Sequence, residues 1–203
     1  MENGIDKIFE IVILIISVVA HEVAHGAVAN YFGDPTAKNE GRLTLNPIKH
    51  LDLFGSIILP AILILTKAGF ILGWAKPVPV NPYNFRHRRA GEIAVSLAGV
   101  TVNFIIAIVF AILFRFGAGI FSNPTLEIIS YVVIINLMLA VFNLVPIPPL
   151  DGSKILLALL PYRYEALIRK LEQYGILVLI IFIIGFSWVV SFIVSWLAKL
   201  LLI

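Results

Sequence analysis

Apolar positions gather into four long runs, each close to or beyond the ~20 residues an α-helix needs to cross a bilayer. They cover about residues 8–32, 90–116, 127–145 and 175–203 and predict four membrane-crossing helices. The last is long enough to tilt or to finish along the interface. A fifth apolar stretch, residues 53–75, is broken by Gly55, Pro60, Gly69 and Gly73 and contains Lys67. Its pattern alone fits either a crossing or an element that dips in and returns. Alternation in Arg42-Leu43-Thr44-Leu45, stopped by Asn46-Pro47, predicts a short β-strand. A second extended piece, KPVPVNP at residues 76–82, holds three prolines and cannot be helical. The longest polar connection, about residues 76–92, is too short for a soluble domain. The expectation is an α-helical polytopic membrane protein. Four crossing helices and a re-entrant segment form one domain over residues 1–203, with short strand elements near its site, a core at about 8–160 and a C-terminal helix at 175–203.

Composition agrees with the pattern. The chain is 60% hydrophobic and 13% charged, more apolar surface than a soluble domain of 203 residues can hide. The absence of cysteine excludes disulfides, thiolate metal sites and cysteine nucleophiles, so a metal here must use histidine and carboxylate. The net charge of +3 comes from basic residues that follow the apolar segments. Such residues orient a membrane protein rather than recognise nucleic acid. Ahead of the apolar stretch Ile11 to Ala20, Glu2, Asp6 and Glu10 stand against Lys7 alone, the wrong charge for a secretory leader, so this segment reads as a retained helix.

The first run contains His21-Glu22-Val23-Ala24-His25. Residues four apart share one helix face, so both imidazoles can reach one metal while Glu22 reaches a water bound to it. The rival reading, a chance polar patch on a solvated helix, fails against the lipid context. Each charged residue there costs about 2.5–3.5 kcal/mol on insertion scales. Three ionisable residues in five positions need a compensating partner, which a metal supplies.

Catalytic zinc usually takes three protein ligands and a water. Asp151, in NLVPIPPLDGSK, follows the third helix where Pro146, Pro148 and Pro149 break it. Locally, an aspartate before Gly152 is equally an N-cap for a following helix, so ligand and cap both remain open. The pair of motifs, HEVAH and the downstream Asn143-Leu144-Val145-Pro146-Ile147-Pro148-Pro149-Leu150-Asp151-Gly152, resembles the site-2 protease family of intramembrane zinc metalloproteases. GWAKPVPVNP (73–82) and SLAGVTVN (96–103) resemble family segments too, with Val100 where the family usually has proline. The resemblance implies one Zn²⁺ per chain held by His21, His25 and Asp151. It implies Glu22 as the catalytic acid/base and Asn143 as a residue that positions or polarises the scissile carbonyl. It also implies a minimal form without a PDZ module, acting on transmembrane protein substrates in the lipid bilayer.

If His21, His25 and Asp151 hold one ion, the first and third helices must run the same way, and residues 53–75 must enter and return on one side. Twelve of the 15 basic residues then lie on the side of the histidines, which places the site toward the cytoplasmic face of a cell membrane. His21 stands 13 residues beyond Ile8. That is about 20 Å along a helix and leaves the metal about 10 Å inside a ~30 Å core. Strand edges near Arg42 to Leu45 or Lys76 to Val80 are expected to hold an unwound substrate by β-augmentation. His50 and His87, beside basic residues, are expected at the interface, and Gly99 and Asn103 to serve close helix packing.

Overall fold

A computed structural model describes residues 4–58, 62, 65, 75–117, 119–160 and 164–203. Its long helices are α1 (Gly4–Phe32), α3 (Arg88–Gly117), α4 (Asn123–Asn143) and α6 (Glu165–Leu202). Two shorter helices are α2 (Thr36–Asn39) and α5 (Asp151–Leu159). The four long ones are apolar enough to cross a membrane, with windows of mean hydropathy 2.1 to 2.9. The chain is a multi-pass membrane protein. Helix α6 starts ten residues before the predicted residue 175, because the polar stretch ahead of the apolar run continues the same helix.

Helix α1 stops at Gly33, whose φ of +111° only glycine adopts without strain. Asp34 N–H then returns to the Ala29 carbonyl, satisfying the helix end. Side-chain pairing fixes the helix directions. His25 meets Val95 and His21 meets Asn103, so α1 and α3 are antiparallel. Ser17 meets Asn136 of α4, and Asp151, a few residues past the end of α4, meets His21, so α4 runs with α1. Ala107 and Ala111 of α3 pack on Val133, Leu137 and Val141 of α4 and on Val190 and Val194 of α6. Small residues bring the α3 backbone close to its neighbours, which is how helices gain contact in lipid. Only 6% of the most apolar window of α6 is buried, so this helix lies at the edge of the bundle.

Among the described residues there is no β-strand, which corrects both strand expectations. After α2 the chain turns: Arg42 N–H bonds the Ala37 carbonyl, and the Thr44 carbonyl accepts from His50 Nε2. Residues 75–81 are extended but join no ladder. Pro77 and Pro79 have no N–H to offer, and the N–H groups of Lys76, Val78 and Asn81 donate to the His50 carbonyl, Glu22 and Asp34. His50, expected at the interface, is instead buried at 1% exposure. Within 53–75 the structure describes a π-helical turn, Leu53–Ile58, and residues 62, 65 and 75; the other residues of the predicted re-entrant element lie outside the described residues. Its two flanks are joined by the bond from Lys76 N–H to the His50 carbonyl, 2.8 Å.

Candidate metal centre

Helix α1 presents His21 and His25 one turn apart, with ring centroids 4.6 Å apart and planes at 86°. Ligating atoms of His21, Glu22 and His25 all lie within 4.8 Å of one another. Helix α5 delivers Asp151, whose Oδ2 is 3.0 Å from Nε2 of His21 and 3.0 Å from Nε2 of His25. All three side chains are buried. The cap reading of Asp151 does not hold, because the helix begins at Asp151 itself, Leu150 is the cap residue, and the carboxylate turns to the histidines. A side chain at Gly152 would lie 2.2 Å from the Leu144 carbonyl oxygen, so the Asp-Gly pair lets α5 start hard against the end of α4.

Fixed acceptors settle the proton positions on the two rings. The Val132 carbonyl can only accept, so the Asn136 amide nitrogen faces it at 2.9 Å and also donates to Ser17 Oγ. Asn136 Oδ1 therefore accepts from Asn103 Nδ2 at 2.8 Å, and Asn103 Oδ1 is left facing His21 Nδ1 at 2.6 Å. That nitrogen must carry hydrogen. His25 Nδ1 likewise donates to the Val95 carbonyl at 2.6 Å. In the neutral rings both Nε2 atoms are then lone pairs, and they converge with a carboxylate oxygen. Three electron-pair donors so placed need either buried protons between them or one shared cation. The first is costly within an apolar bundle. The second fits: zinc bonds of about 2.0–2.1 Å place tetrahedral ligand atoms about 3.3 Å apart, close to the spacing found. The donor set, two imidazoles and one carboxylate, also suits zinc.

Lys154 Nζ lies 3.0 Å from Asp151 Oδ1, on the oxygen turned away from the rings. Glu22 is half-buried, and its Oε2 accepts from Val78 N–H at 2.8 Å. Asn143 ends α4 with its amide donating to the Leu139 carbonyl at 2.9 Å, and no described contact joins it to the three ligating atoms. An ideal Cβ at Gly99 would stand 2.5 Å from His21 Cε1, so α3 passes directly beneath this ring.

Several residues of the site escaped the sequence reading. Asn103 was expected to tether helices, yet it holds His21. Ser17 and Asn136 continue that chain, and the Val78 N–H meets Glu22 from outside the helix. A signal existed for the first group, since amides and hydroxyls in apolar helices mark functional positions by default. For Val78 none existed, because its contribution is a backbone N–H.

Residues 117–186 match the model of Peptidase family M50. Over 178 residues the chain is 42% identical to "Putative zinc metalloprotease YwhC" of Bacillus subtilis, covering 84% of this chain and 78% of that protein. It is 30% identical over 165 residues to "Zinc metalloprotease MJ0392" of Methanocaldococcus jannaschii, covering 81% of this chain and 38% of that longer protein. No solved structure matches the chain.

Proposed function

Because the chain belongs to peptidase family M50 and is a membrane zinc metalloprotease, we propose that it hydrolyses peptide bonds within or near the transmembrane segments of other membrane proteins. The observation that carries this reading is the convergence of His21 Nε2, His25 Nε2 and Asp151 Oδ2 at 3.0 Å inside the helical bundle. These three residues hold one zinc ion per chain. Bound there, zinc supplies Lewis-acid polarisation of a water molecule and of the scissile carbonyl. Glu22, within 4.8 Å of the histidine ligand atoms, takes the proton of the attacking water and returns it to the leaving amine. Asn103 and the Val95 carbonyl keep the two rings in the tautomer that ligates. Asn143 contributes a second amide hydrogen toward the developing oxyanion once an unwound substrate lies along the end of α4.

The chain acts as a single membrane-embedded domain, with the site toward the cytoplasmic side of a cell membrane. The excess of lysine and arginine at the histidine ends of the helices supports that orientation. Residues 53–75 form a re-entrant element. The bond between its flanks at His50 and Lys76 supports this, as does the antiparallel order of α1 and α3. Nothing in the charge pattern favours nucleic acid as a partner.

The test is cleavage of a single-pass substrate by purified protein in liposomes. Activity lost on chelation, restored by zinc and absent from Glu22→Gln with its zinc content intact is the expected result. Cleavage by Glu22→Gln at the wild-type rate would falsify the assignment of Glu22.

A further inference from the structure

Two buried charges outside the metal centre grip one extended segment. Arg42 Nη2 donates to the Lys76 carbonyl at 2.8 Å and to the Pro77 carbonyl at 3.3 Å. Asp34 Oδ2 accepts from Asn81 N–H at 2.7 Å, and Oδ1 accepts from Asn84 Nδ2 at 2.8 Å. Arg42 is 5% exposed and Asp34 is fully buried. Between the two grips, Val78 donates its N–H to Glu22 Oε2 at 2.8 Å. We propose that Asp34 and Arg42 are positioning residues for hydrolysis: they hold residues 76–81 against α1 so that the Val78 N–H aims the Glu22 carboxylate. The inference rests on the reading of Glu22 as the proton-transfer group.

The local design suits that task. Prolines at 77 and 79 fix their own φ and restrict the residue before each, so the direction of the Val78 N–H between them is stiff. A glutamate side chain turns about three bonds and does not hold one orientation by itself; an anchor on Oε2 determines where Oε1 points. The register against α1 is set sterically. Gly26 lies one helical turn beyond Glu22 on the same face. A Cβ at Gly26 would stand 2.8 Å from Val78 Cγ1, 2.7 Å from Leu43 Cδ2 and 3.1 Å from Ala37 Cβ. The glycine therefore lets the segment lie flush where Glu22 needs it.

Val78→Pro removes the donor within a segment that is already extended and flanked by proline. Wild type, Val78→Pro, Val78→Ala, Asp34→Asn, the Val78→Pro/Asp34→Asn pair and Glu22→Gln are compared in the liposome cleavage assay. Zinc content by mass spectrometry and melting temperature are measured alongside. Val78→Pro should keep wild-type zinc and KM and lose about 10- to 100-fold in kcat, the worth of a hydrogen bond to a charged group. Val78→Ala keeps the N–H and should retain about tenfold more kcat than Val78→Pro. The Asp34→Asn loss should be less than multiplicative with that of Val78→Pro, since both act through one bond. Wild-type kcat in Val78→Pro, equal losses in the proline and alanine variants, or fully multiplicative losses overturn the inference. Should Val78→Pro fail to fold, Gly26→Ala displaces the same segment; it should keep zinc and lose kcat, and an unchanged kcat overturns the inference. Cleavage by Glu22→Gln, by contrast, refutes the reading of Glu22 itself.

Discussion

Replacing Gly99 with alanine probes how tightly the bundle fixes the metal centre. An added Cβ would lie 2.5 Å from Cε1 of His21 and 2.6 Å from each ring nitrogen. Ordinary contact begins near 3.4 Å, so the ring or helix α3 must yield by about 0.9 Å. The ring has little room, because Nδ1 is tied to Asn103 and Nε2 faces Asp151. Zinc ligands tolerate displacements of only about 0.2 Å. Gly99→Ala should therefore leave two effective protein ligands and weaken zinc binding by about 100-fold or more, roughly 3 kcal/mol. Competition with a fluorescent zinc chelator in detergent at fixed pH measures this directly. Gly185→Ala is the matched control, since a Cβ there meets nothing within 4 Å. A Gly99→Ala affinity within about threefold of wild type, roughly 0.7 kcal/mol, refutes the argument that α3 locks His21 in place.

Asn136→Leu cuts the chain that orients His21, leaving Asn103 Nδ2 and Ser17 Oγ without their partner. It should lower stability by about 1–3 kcal/mol and zinc affinity by about 10- to 100-fold, read by melting with and without added zinc. Zinc at 100 times its dissociation constant should add about 2.7 kcal/mol of stability, so a chelator should lower the melting temperature, and Asp151→Ala should blunt that shift. Burial opposes ionisation of Asp34, but hydrogen bonds from Thr36, Asn81 and Asn84 prevail and set its folded pKa below the ordinary 3.8. Its stabilising contribution is then complete above pH 3.8 and fades as acid takes the pH through the lower folded value. Asp34→Asn should be less stable near neutrality and show a shallower stability loss on acidification, followed by near-ultraviolet circular dichroism.

The sequence alone determined the membrane class, the four long apolar helices seen among the described residues and the zinc chemistry of His21-Glu22-x-x-His25. Each follows from local physics: the length of apolar runs, the insertion cost of charge in lipid, and the i,i+4 geometry of a helix. The two motifs together also identified the family that the comparisons show. Local signals could not choose between cap and ligand for Asp151, because both place an aspartate at a helix start. Packing carries residue 151 to within 3.0 Å of both rings, which supports the ligand reading proposed for it. The strand expectations failed for a related reason. Alternation and extension describe a backbone that could join a sheet, but the N–H groups of residues 76–81 had nearer acceptors in His50, Glu22 and Asp34. Only the tertiary structure settles how Asn103 meets His21 and how a valine N–H meets Glu22. Such contacts join residues 56 to 82 positions apart, and no pattern in a single segment carries them.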